Sequence, residues 1–292
     1  MRAVLLESPA MSRSCRDFTG DSMFPLSGTA FPKSADELAA ALRGSLVEVF
    51  TFPDANSVVK IDGANWPVME RVVVNMSGAT VRIAEPPPKP EPVGLREPGI
   101  SVGQLAILGH PVRYQQSKCD LELTARNVRF DFARDAAGKA LLVLTDATDG
   151  HVETRIAKSD LQSAILAGAS AAAKPHGVAI QELEINLTSD GPRSLAVDLR
   201  VKAKKMILSG VVVLRGKVDI DDNLVATLSN LACTGGGAIG SMAAAMINTK
   251  LKSFEGKRVP LMAFSLGDVS LHDLKISTTP DIQVTAEFGR KV

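Results

Sequence analysis

Aromatic side chains are scarce in this chain of 292 residues: they make up 4%, with one tryptophan (Trp66) and one tyrosine (Tyr114). Proteins that grip single-stranded nucleic acid stack bases on such rings, so that class loses its usual tool. An excess of one charge is missing too. Lys and Arg number 33 against 32 Asp and Glu, a net charge of +1, which gives no electrostatic case for a phosphate backbone. Cysteine is limited to Cys15, Cys119 and Cys233, an odd number spread widely, with neither a disulfide framework nor a metal spacing. Long apolar runs are absent: the stretch from Ala3 to Leu6 is broken by Glu7, and nothing later reaches the length of a membrane span. These absences predict a cytoplasmic or peripheral-membrane chain that keeps its N-terminus, with Met11 and Met23 as alternative starts. They also predict no nucleic-acid partner, no metal and no cofactor.

What remains is aliphatic. Hydrophobic residues reach 45%, so the core must be Val, Leu, Ile, Ala and Met. Residues 1–33 show no period and read as an irregular tail. Ser34, with Glu37 three residues on, has the capping-box pattern, and Leu38, Leu42, Leu46 and Val49 form a helical stripe behind it. Residues 85–92, EPPPKPEP, can be neither helix nor central strand and read as a surface connection. Apolar alternation then marks strands: Leu121, Leu123 and Ala125, then Val128, Phe130 and Phe132, and later Leu195 to Ala203. Ser159 is placed to cap a helix over 160–173 with Leu161 and Ile165 on its apolar face. A third helix is expected over 237–254, where Ile239, Met242, Ala243, Met246, Ile247 and Phe254 recur at three- and four-residue steps. Its position between strands predicts a meander curling around it.

An internal echo supports two packed units. Val178-Ala-Ile180-Gln-Glu-Leu183-Glu-Ile185 matches Val269-Ser-Leu271-His-Asp-Leu274-Lys-Ile276, and in each the alternation skips one residue, the mark of a β-bulge. The expected division is a tail over 1–33 and one domain over 34–292, with a helix–strand unit (34–157) and a helix–meander–helix–strand unit (158–289).

Catalytic chemistry leaves little trace. Gly235, Gly237 and Gly240 fit G-x-G-x-x-G, but the strands before them alternate in the antiparallel manner and no acidic residue closes a following strand at the dinucleotide spacing. Close approach of a helix to a sheet explains the glycines better. The four histidines stand singly, and Asp219, Asp221 and Asp222 fit a hairpin turn rather than a calcium loop. Arg200, Lys202 and Lys204 share one strand face, a solvated face by default and an anionic-headgroup contact otherwise.

The order of parts resembles the LmeA-like family of bacterial phospholipid-binding proteins, and through it the tubular lipid-binding (TULIP) folds. The likeness lies in VETRIAKSDLQSAIL (152–166), the meander over 178–233, VPLMAFSLGDVSLHDLKI (259–276) and the segment over 47–82, and it covers about residues 36–289. Exported members of that family begin with a signal peptide, which this chain does not show. The resemblance implies an α+β fold in which a highly curved, mainly antiparallel sheet wraps long helices. It also implies an apolar groove between helix and sheet for a phospholipid or similar amphiphile, an envelope location, and no catalytic residue. Ile239, Met242, Ala243, Met246, Ile247, Phe254, Leu161 and Ile165 would line that groove. Two other readings stand beside it: a structural or scaffold protein with a packed core and a protein partner, and a hydrolase or transferase acting on lipids.

Overall fold

A computed structural model describes residues 23–82, 90–205, 208–261 and 269–290. The proline-rich segment falls largely outside them, as do residues 1–22. From Met23 onward the expected tail is part of the fold. Strand β1 (Met23–Pro25) pairs antiparallel with Leu141, Leu142 and Val143, and Leu26 beyond it is wholly buried. The sequence gives no sign of this because three residues are too few to show a period.

Helix α1 (Ala35–Val49) starts as its cap pattern predicts. The Glu37 amide donates to Ser34 Oγ at 3.2 Å, and the Glu37 carboxylate accepts the Lys33 amide at 2.8 Å. Short strand β2 (Phe50–Thr51) and a hairpin of β3 (Val59–Asn65) and β4 (Val68–Asn75) follow, then β5 (Thr80–Val81). Two long strands, β6 (Pro92–Tyr114) and β7 (Ser117–Asp135), lead to β8 (Ala140–Asp146) and β9 (Asp149–Ile156). Helix α2 (Lys158–Ala173) is capped at Ala157, without a side-chain cap, so Ser159 lies inside the first turn rather than before it. A meander of β10 (Ala179–Gly191), β11 (Ser194–Lys205), β12 (Leu208–Ile220) and β13 (Val225–Gly236) runs into α3 (Gly237–Leu251). Strands β14 (Arg258–Pro260), β15 (Val269–Ser277) and β16 (Ile282–Arg290) finish the chain.

The strands make two sheets. An eleven-stranded sheet has the order β15-β16-β9-β7-β6-β4-β3, with β1, β2, β5 and β8 joined at its sides. Its pairs are antiparallel except where β6 meets β4 and β5. The second sheet keeps β10 to β14 in sequence order, all antiparallel.

The expected architecture of a sheet wrapped around long helices fails. Among the described residues strand accounts for 60% and helix for 19%, and the three α-helices there have 15, 16 and 15 residues. The core explains why. Its largest cluster joins Ala125, Val128, Phe130 and Phe132 of β7 to Leu142 and Leu144 of β8, Val102 of β6 and Leu38 of α1. Alternating strand faces therefore supply most of the buried surface, and α3, expected at the centre, contributes one core side chain among the described residues, Ala244. Apolar periodicity in α3 was the misleading signal, because it does not say which way an apolar face points.

Both β-bulges are where the internal echo places them. The register slips between Ile180 and Glu182 in β10 and between Leu271 and Asp273 in β15. Those two strands belong to different sheets, and the sheets meet beside them. Ile220, Leu224 and Ala226 pack with Leu271, Leu274 and Ile276, and the Ile276 amide donates to the Pro192 carbonyl at 2.6 Å. Arg193 clamps the junction, bonding Asp222 at 2.9 Å and Asp273 at 2.7 Å.

Candidate ligand-binding site

Helix α1 and the large sheet do not close tightly on each other. A cavity of about 360 Å³ lies between the α1 stripe (Leu38, Leu42, Leu46, Val49) and strand residues Val72, Val74, Ile100 and Val102. A second cavity, of about 330 Å³, is bordered by Leu123, Val152, Ala286 and Phe288, by Leu271 and Leu274 on the adjoining strand β15, and by Leu261. Phe24, Leu105, Ile107 and Phe130 border both, so the two spaces share a wall. Alternation produces this apolar interior. Leu105 and Ile107 of β6 face Ala125 and Leu123 of β7 in register, while Gln104 and Arg126 pair on the opposite face.

Polar atoms are nearly absent from the walls. Among the described lining residues the only polar ones are Ser45 in the α1 cavity and Ser270 in the other. Ser45 Oγ is buried and has no hydrogen-bond partner among the described residues. No charged side chain of the described residues lines either space, so among them a charge placed inside would be desolvated without compensation. Apolar walls of this kind favour hydrocarbon over water, and each volume falls within the range of small-molecule sites.

The opposite face of the same strands carries a polar cleft bordered by Arg71, Gln104, Thr124, His151, His272 and Glu287. Arg126 there chelates Asp149, with Nε at 2.8 Å and Nη2 at 2.7 Å from its oxygens, and this pairing holds the guanidinium pKa above its ordinary value. Leu105, Ala125 and Phe288 border both this cleft and the 330 Å³ cavity. No group of three or more His, Cys, Asp or Glu fit to hold a metal occurs among the described residues. The two described cysteines are free thiols whose pKa burial raises, at Cys119 with help from the Asp120 charge.

The residues expected to line a groove lie elsewhere. Met242, Met246, Ile247 and Phe254 are together on α3 and its C-terminal turn, but they are 65%, 47%, 36% and 38% exposed. Ala243 beside them is half-buried, and the Ile239 side chain lies outside the described residues. Leu161 and Ile165 are half-buried on a different helix, α2, which packs on β10 and β7. None of the described ones among these residues, Met242, Ala243, Met246, Ile247, Phe254, Leu161 and Ile165, borders either apolar cavity.

The chain matches no family model, no curated protein and no solved structure.

The glycines before α3 serve packing. A Cβ on Gly235 would strike the Gly240 carbonyl, and one on Gly240 would strike the Val211 carbonyl. The helix thus rests on the sheet through backbone, and β13 before it is antiparallel to β12, the wrong setting for a dinucleotide site. The basic run is a balanced face: Arg200 and Lys202 stand 3.9 Å from Glu184 and Glu182. The α1 stripe of Leu38, Leu42, Leu46 and Val49 was visible in the sequence as an apolar face. Its role as a cavity wall was not, because periodicity records which side is apolar and not how much of it is filled.

Proposed function

We propose that the protein binds a phospholipid or similar amphiphile non-enzymatically, holding its hydrocarbon part in the cavity between α1 and the large sheet and in the cavity that adjoins it. The observation that carries this reading is the pair of adjoining apolar spaces of about 360 and 330 Å³, with almost no polar atom on their walls. The driving force would be burial of methylenes, about 0.8 kcal/mol each. The charged or polar headgroup stays outside, since nothing inside compensates its desolvation.

Uptake of a fluorescent fatty acid by wild type, Leu105→Trp and Met246→Trp tests this assignment. Leu105 borders both cavities, so the indole occupies space the ligand needs, and probe affinity is expected to fall roughly tenfold or more. Because the site has room, Leu105→Trp should lose less stability than the ~1–3 kcal/mol of an overpacked core. Met246 is solvent-facing, and its replacement should leave uptake unchanged. A wild type that takes up no probe, together with a strongly destabilised Leu105→Trp, would instead describe a packed interior and leave the scaffold reading.

A further inference from the structure

Helix α3 is mounted with its small residues inward and its methionines outward. Gly240 and Ala244 are buried against the sheet, and Gly240 sits against Gly210, Val211 and Gly235. Asn248, one turn on, bonds both backbone groups of Cys233: its Oδ1 accepts the amide at 2.8 Å and its Nδ2 donates to the carbonyl at 2.6 Å. The opposite side presents Met242 and Met246 to solvent; Ile247, seven residues from Gly240, lies on the sheet-facing flank at 36% exposed, Phe254 is 38% exposed in the turn after the helix, and Leu208, 55% exposed, starts β12. Large apolar side chains exposed together on one helix face mark an interaction surface.

Charge identifies the occupant. Residues 237–254 include no Asp or Glu, and Lys250 and Lys252 are exposed on the last turn. The nearest carboxylate along the chain, Glu255, is turned away, accepting the Asn230 and Leu231 amides at 3.0 and 2.8 Å. Lys257 lies over the Phe254 ring, 5.3 Å from its centroid. None of the three lysines is ion-paired among the described residues. An apolar stripe flanked by cations suits the interface of an anionic bilayer, where methionine and phenylalanine enter the acyl boundary and lysines meet headgroups. A second copy of the chain fits poorly, since a face-to-face pair would set these lysines against their like. We infer that α3 is a membrane-docking surface for anionic lipid, lying in the plane of the interface. At 15 residues the helix is roughly 23 Å long, too short and too exposed on one side only to cross.

Vesicle flotation of the full chain tests this, with phosphatidylcholine vesicles prepared with and without phosphatidylglycerol. Wild type should float with the anionic vesicles and much less with the neutral ones, and added salt should weaken the association. The double variants Met242→Gln/Met246→Gln and Lys250→Gln/Lys252→Gln should each lower binding by roughly tenfold. Leu95→Gln, at an exposed leucine outside α3, should not. Thermal unfolding and size exclusion on the same samples show that the variants are folded and monomeric. Fatty-acid uptake by them should match wild type, which keeps this surface separate from the cavity assignment. Three outcomes overturn the inference: no flotation of wild type, unchanged flotation of the methionine variant, or a wild-type dimer that the methionine substitutions dissolve.

Discussion

Ser45 is a hydroxyl held inside an otherwise hydrocarbon wall, and its Oγ has no partner among the described residues. A buried donor left unpaired costs about 1–3 kcal/mol. Ser45→Ala removes that cost along with one small atom, so the variant should be more stable than wild type by about 1 kcal/mol in chemical denaturation. Leu38, on the same helix and wholly buried in the main core cluster, gives the opposite sign. Leu38→Ala should lose about 2–5 kcal/mol, the usual range for a truncated core leucine. The pair of measurements sets the cost of an unpaired hydroxyl in the cavity wall against the cost of truncating a leucine in the same wall. The sequence places Leu38 in the apolar stripe with Leu42, Leu46 and Val49. It cannot say that the stripe borders open space, since that depends on strands β4 and β6, which are distant along the chain.

Among the elements, α3 depends on backbone approach and on one side-chain amide. Asn248→Ala leaves the Cys233 amide and carbonyl without their helix partner and should cost about 1–3 kcal/mol. Gly240→Ala should cost more than the same change at Gly236, because its Cβ meets the Val211 backbone whereas Gly236 has open space around it. Comparing urea midpoints of the two variants checks this. At this scale much was legible. Capping residues Ser34 and Glu37 marked the start of α1, and skipped alternation marked the bulges at Gln181 and His272. The orientation of α3 was not legible. Its glycine and alanine face carries little hydrophobicity and looks like the outside of a helix, yet small residues allow the closest packing. Its methionines look like a core stripe and point to solvent. A central α3 is what the wrapped-sheet architecture requires, and the observed strands replace it.

For the whole molecule, the two sheets are held together at an apolar seam and by Arg193. Hydrogen bonds from Arg193 and Lys275 hold the Asp273 carboxyl at about 2, below its ordinary 3.8. The sign follows from linkage: a carboxylate with a depressed folded pKa adds stability that is present above the unfolded value and lost as pH falls through the folded one. Asp273→Asn should therefore lower the melting temperature at pH 6, and the difference from wild type should narrow between about pH 4 and pH 2. Asp146, lowered by Arg290, will add its own acid sensitivity in both proteins, so the comparison must be made variant against wild type. The large sheet with α1 is also where the central claim resides, namely that its two adjoining cavities hold the hydrocarbon of an amphiphile. Native mass spectrometry of protein purified without detergent, wild type beside Leu105→Trp, tests it most directly. The account predicts wild type carrying a bound lipid-sized mass that the tryptophan variant has lost while remaining folded. A wild type free of any such mass, even after incubation with phospholipid vesicles, would contradict it.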